Sequence, residues 1–212
     1  IMPSVVQATF KVEFPTLLEI IILLFIFAAE ILGEISAFYI KFPYWDTVLH
    51  TLNGFLCGAI GFSLVEIMNG NKRLRFELSP LFMAVVAFCF SMTIGVTWEI
   101  FEFSMDSLYH LDMQKDTIIH SIYTVSLDPM NDNNCVAVTG IEDVVLNGRD
   151  LGLGGYLDIG LMDTMYDLIV NFIGAFVFSV LGYGYVKYKD TKSFVNGLIP
   201  ESWSDEKKAG SH

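Results

Sequence analysis

Four stretches of this chain are long and apolar enough to cross a bilayer, and that narrows the fold more than any other feature. Crossing the roughly 30 Å hydrocarbon core takes about 20 mostly apolar helical residues. The runs extend from Phe14 to Ile40, Asp46 to Met68, Pro80 to Phe103 and Thr164 to Tyr188. Within them, Leu81–Trp98 and Leu168–Val186 hold no charged residue. Lipid offers the backbone no water to bond, so such runs must be helical. The expected fold is an all-α membrane protein, a bundle of at least four transmembrane helices. Composition agrees, with 53% hydrophobic and 17% charged residues among 212.

Charge asymmetry sets an expected orientation. Lys72, Arg73 and Arg75 lie between the second and third runs, and Lys187, Lys189 and Lys192 follow the fourth. Membrane proteins are basic on the cytoplasmic side, which puts the loop 69–78 and the C-terminal tail there. The stretch from Met105 to Met162 carries nine Asp or Glu against Lys115 and Arg149 and is expected outside the cell. Within it, Ile122–Val125 and Val136–Thr139 are β-branched or aromatic and flank the turn formers of Asp128–Asn134, which reads as a β-hairpin. Gly152, Gly154 and Gly155 suit a sharply turned return to the fourth helix.

The organisation is then an N-terminal segment 1–13, read as the end of an upstream helix because Ile1 is no initiator. Helices one to three occupy 14–104, a small extracytoplasmic β-hairpin cap 105–162, the fourth helix 163–189 and a cytoplasmic tail 190–212. The setting is a bacterial plasma membrane. Cys57, Cys89 and Cys135 show no metal-binding spacing and read as packing residues.

Every run carries a polar stripe. Asp46, His50 and Asn53 stand at i, i+4, i+7 on the second, and Glu99, Glu102 and Asp106 at i, i+3, i+7 on the third. Asp163, Asp167 and Asn171 stand at i, i+4, i+8 on the fourth, and Glu30 with Glu34 at i, i+4 on the first. Each spacing gathers its residues on one helical face. With the derived orientation all four stripes fall at the outer-leaflet level. Ionisable groups inside a span are costly and mark function. Asp46, His50, Glu99, Glu102, Asp163 and Asp167 are therefore the expected lining of a pocket, supported by Glu30, Glu34, Asn53, Asp106 and Asn171.

So many carboxylates cannot all be ionised at low dielectric without a counter-charge. A divalent metal ion, another cation or cationic ligand, and protonation are the open solutions; oxygen donors with one imidazole suit Mn, Fe or Zn, and an oxygen-rich set suits Mg or Ca. A net charge of −12 excludes nucleic acid as a partner, since phosphate binding needs a basic footprint. Membrane lipid is the expected partner, and the sequence leaves the oligomeric state open. Three functions compete. One is an accessory protein whose pocket binds a cation or an envelope-lipid head group. Another is a metal-dependent enzyme acting on a lipid-linked substrate, with Glu99 or Glu102 as base and His50 as ligand or acid. The third is a cation- or proton-coupled transporter, disfavoured because Gly61–Val65 and Pro80–Phe90 offer only Ser63 on the inner side.

The motifs Trp45-Asp46-Thr47-Val48-Leu49-His50, Trp98-Glu99-Ile100-Phe101-Glu102-Phe103 and Asp163-Thr164-Met165-Tyr166-Asp167-Leu168-Ile169-Val170-Asn171-Phe172-Ile173-Gly174-Ala175 together resemble the YjdF-like bacterial membrane family, a domain of unknown function within the VanZ-like group. The resemblance covers Phe14 to Tyr188. That group shares the order D-x-x-x-H, a Glu-bearing helix and D-x-x-x-N-x-x-G, and the resemblance implies a role in the cell envelope. This chain lacks the Gln usual near the Glu motif and adds the Asp112–Asp116 segment.

Overall fold

The computed structural model describes residues 12–13, 15–69, 78–188, 193–199 and 201–202. The basic loop with Lys72, Arg73 and Arg75, together with Lys189 and Lys192 of the tail, lies outside the described residues, as do 1–11 and 203–212. Four helices among the described residues are long and apolar enough to span a membrane, and this is a mostly helical membrane protein. Two compact units divide it, residues 1–98 with 167–212, and residues 99–166.

In the first unit, strand β1 (Val12–Glu13) leads to α1 (Thr16–Ile26), which Pro15 precedes. Without a break the chain then winds as a π-helix over Phe27–Ile35. Such winding is rare and appears mostly as single turns inside α-helices. Ala37 ends it in the left-handed region, at φ 56°. The first span therefore stops at Ile35, short of Ile40, and Phe38–Lys41 forms a separate short helix, α2.

Helix α3 covers Trp45–Asn69 and α4 covers Pro80–Tyr109. The start of α4 is written in Ser79-Pro80: the Ser79 hydroxyl accepts from Phe82 N–H at 3.2 Å, and proline has no N–H to lose in a first turn. Helix α5 covers Leu161–Tyr188. A 3₁₀ turn, Phe194–Leu198, and a final strand, Glu201–Ser202, pairing with β1, complete the unit.

Small residues govern how α3 meets α5. A side chain at Gly54 would run into the Asn171 carbonyl, and one at Gly174 into the Thr51 carbonyl and the Phe55 amide. Further along, Gly58 lies against Phe178 and Gly182 against Phe62. Numbers rise together on both helices, so α3 and α5 run parallel, with backbones in contact where the glycines remove Cβ. Helix α4 returns against both: Gly61 faces Phe90, Ser91 donates to the Gly54 carbonyl at 2.7 Å, and Gly95 lies against Asn171. Leu18, Leu56, Ala59, Phe62, Met83, Ala87 and Phe178 fill the core, joined by Val195 and Leu198. Leu23, Leu24, Leu81, Ile169 and Phe176 face outward, where the membrane meets them with lipid.

In the second unit α4 continues to Tyr109, beyond Phe103, and His110 closes it in the left-handed region at φ 57°. Strands β3 (Ser121–Thr124) and β4 (Val136–Thr139) pair antiparallel, Ile122 opposite Val138. Ile118–Ile119 (β2) pairs instead with Tyr156–Leu157 (β7), and Val145–Leu146 (β5) with Arg149–Asp150 (β6).

The loop from β3 to β4 is organised by Asp128. Its carboxylate accepts from the N–H groups of Met130 at 3.1 Å and of Asp132 and Asn134 at 2.9 Å, while Asn131 and Asn133 take the left-handed turns. These bonds favour the ionised form and hold its pKa below the ordinary aspartate value. For an acid of lowered pKa, the stabilisation is complete above the unfolded value of about 3.9 and fades as pH falls through the lower folded one. Asp128→Ala is therefore expected to speed amide exchange at Asp132 and Asn134 roughly tenfold at neutral pH. The difference from wild type should vanish in strong acid; unchanged exchange would dismiss the loop's dependence on this carboxylate.

Candidate metal centre

Parallel packing brings the stripes of α3 and α5 to one level. His50 comes one turn after Asp46 on α3, and its Nε2 lies 3.5 Å from Asp46 Oδ1 and 3.8 Å from Asp167 Oδ2 on α5. One ligand atom from each of the three residues lies within 4.8 Å of the others. The 3.8 Å separation is too long for a hydrogen bond, and 3.5 Å is at its outer limit. Two donors bound at about 2.1 Å to one tetrahedral ion sit about 3.4 Å apart. The two distances to His50 Nε2 are compatible with ligands sharing an ion.

Accessibility is graded across the cluster. Side-chain exposure falls from 34% at Asp46 to 10% at His50 and 5% at Asp167. The open edge is thus at the N-terminal end of α3. There Trp45 Nε1 donates to the Ala28 carbonyl at 3.3 Å, fixing the π-helix beside that end. Glu30 and Glu34, expected as supporting groups inside the pocket, stand on the π-helix beyond Ala28, and both are exposed. Winding of more than four residues per turn keeps them near one face, and neither joins the cluster of Asp46, His50 and Asp167.

Inward of the cluster the polar stripe continues for one turn. Asn53 donates through Nδ2 to Asn171 Oδ1 at 3.2 Å, and Cys57 Sγ lies 3.5 Å from Asn53 Oδ1. Asn171 Nδ2 contacts Met92 Sδ at 3.6 Å. Beyond this layer come Leu56, Ala59, Phe62 and Phe178, with the Ser63 hydroxyl bonded to the Ala59 carbonyl of its own helix.

The remaining expected residues belong to the second unit. Glu99 and Glu102 are buried on α4. Asp106 accepts from Met113 and Gln114 N–H groups at 2.6 and 2.8 Å, closing the chain that leaves α4. Asp163 accepts from Lys115 N–H at 3.0 Å in the first turn of α5. Asp158 carries out a similar task, taking N–H bonds from Thr117, Gly160 and Met162. Sequence reading overlooked Ser91, Met92 and Gly95, which surround the amide layer on α4. The available signal was Ser91-x-x-x-Gly95, a pair of small residues at the spacing that lets spans approach closely.

An uncharacterised protein of Thermotoga maritima (strain ATCC 43589 / DSM 3109 / JCM 10099 / NBRC 100826 / MSB8) is 27% identical over 106 residues, covering 50% of this chain and 53% of that protein. The chain thus spans about half the length of this relative. No solved structure matches. The family model described as "Predicted membrane protein (DUF2238)" matches residues 1–188, a stretch that includes all four spans and the cluster of Asp46, His50 and Asp167, and the protein belongs to that family.

Proposed function

We propose that this protein binds a divalent transition-metal ion at Asp46, His50 and Asp167. The carrying observation is the convergence of one imidazole and two carboxylates from parallel helices at ligand spacing. Two ionised carboxylates with a neutral imidazole sum to −2, which a dication neutralises at low dielectric. The imidazole nitrogen favours Mn, Fe or Zn over Mg or Ca. A set of three donors leaves at least one position for water or for an oxygen of a lipid head group. This suits an accessory role in the envelope of a bacterial cell, in line with the VanZ-like resemblance. The apolar layer of Leu56, Phe62 and Phe178 beyond the amides argues for a resident ion over one in transit.

In this reading the mouth at Asp46 faces outward, residues 105–162 form the extracytoplasmic cap, and the basic loop and tail are cytoplasmic. Elemental analysis of the purified full chain tests the site: about one Mn, Fe or Zn per molecule is expected, and none, even after loading, would sink it. Orientation is tested at Cys135, which is exposed in the second unit. A membrane-impermeant thiol reagent is expected to label it in intact cells; labelling only after lysis reverses the topology.

A further inference from the structure

We propose that Asn171 is the positioning residue of the metal centre, which rests on the metal reading above. It sits one helical turn after Asp167, as Asn53 sits one turn after His50, and it is only 1% exposed. All three central helices are built around it. The Asn171 backbone passes so close to Gly54 that no side chain fits there, and on α4 a Cβ at Gly95 would stand 2.5 Å from the Asn171 amide nitrogen. Ser91 ties the same level of α4 to the Gly54 carbonyl at 2.7 Å.

Stability does not account for an amide at this point. A buried primary amide has four hydrogen-bonding positions to satisfy. Asn171 has a bond from Asn53 at 3.2 Å and a weak thioether acceptor, Met92, at 3.6 Å. Hydrogen bonds between spans add little to association, and an apolar side chain of similar size would carry no such cost. What the amide pair adds to the glycine contacts is a directional bond that sharpens register. The bond is made at one sliding position of α3 along α5, and a slip of one residue displaces a helix by about 1.5 Å. A shift of that size is large against the 3.8 Å between His50 Nε2 and Asp167 Oδ2 and would disturb a shared coordination sphere.

Co²⁺ titration of the purified full chain tests this, with visible d–d absorption reporting geometry. Asn171→Leu is expected to melt at or above the wild-type temperature, yet bind Co²⁺ about 10- to 100-fold more weakly with an altered spectrum. Asn53→Leu breaks the same bond from the other helix and is expected to match it. The double variant should lose no more than either single one, since one bond is removed in all three. Unchanged affinity and spectrum in both single variants would overturn the proposal. So would affinity losses that only track a fall in melting temperature. A wild type that gives no Co²⁺ spectrum overturns the metal reading itself, a separable result.

Discussion

Gly174→Leu is expected to destabilise the folded protein severely, while Gly184→Leu in the same helix is expected to be tolerated. The Cβ of any residue at 174 meets the Thr51 carbonyl and lies 2.8 Å from the Phe55 nitrogen, and backbone atoms in the middle of a helix cannot turn aside. Relief requires α3 and α5 to separate, which breaks the bond between Asn53 and Asn171 and opens the contacts of Phe178 with Phe55 and Phe62. Overpacking a well-packed interior costs about 1–3 kcal/mol, and more where the obstacle is rigid. Gly184 has nothing within 4 Å of the position its Cβ would take. The pair therefore holds helix propensity and added hydrophobicity constant. Size-exclusion profiles and melting temperatures in detergent decide it: equal behaviour of the two variants would refute the close approach of α3 to α5.

The second large effect concerns the proposed ligands. Asp167→Asn and His50→Ala are expected to weaken Zn²⁺ or Co²⁺ binding at least about a hundredfold, because the first removes a negative charge and the second a nitrogen donor from the buried side of the site. Asp46→Asn is expected to weaken it about tenfold, since its side chain is 34% exposed and water can replace a carboxylate oxygen there. The order matters more than the sizes. Isothermal titration or competition with a chromophoric chelator measures all three, and a greater loss at Asp46 than at Asp167 would contradict the graded burial. Melting temperatures should follow in the same sense: removing metal lowers that of the wild type and leaves that of His50→Ala unmoved.

Spans and stripes were readable because each depends on local periodicity. Asp46 with His50 and Asp167 with Asn171 lie one turn apart on their helices, and apolar neighbours on the other faces leave one direction for these groups to point. That they meet required a parallel arrangement of α3 and α5, which the charge asymmetry of the loops implied. Other features were opaque for physical reasons. Acids that cap helices or tether loops, such as Asp106 and Asp163, occupy the same end-of-span positions as acids that bind ions, and only their N–H partners distinguish them. The π-helical winding of Phe27–Ile35 leaves no trace in a run whose Glu30 and Glu34, four apart, fit an α-helix equally well. Pairing of Ile118 with Leu157 joins two short segments far apart in sequence, and neither carries a mark of the other.

The parallel course of α3 and α5 also has a consequence in time. His50 leaves the ribosome well before Asp167, which follows 117 positions later (167 − 50). At about 5–20 residues per second that interval lasts roughly 6–23 s. Throughout it the newborn α3 must hold its aspartate, histidine and asparagine in or near the translocation channel without the helix that will cover them. Anything that stalls synthesis within residues 110–160 prolongs that unprotected state, when membrane proteases and insertion chaperones compete for the chain.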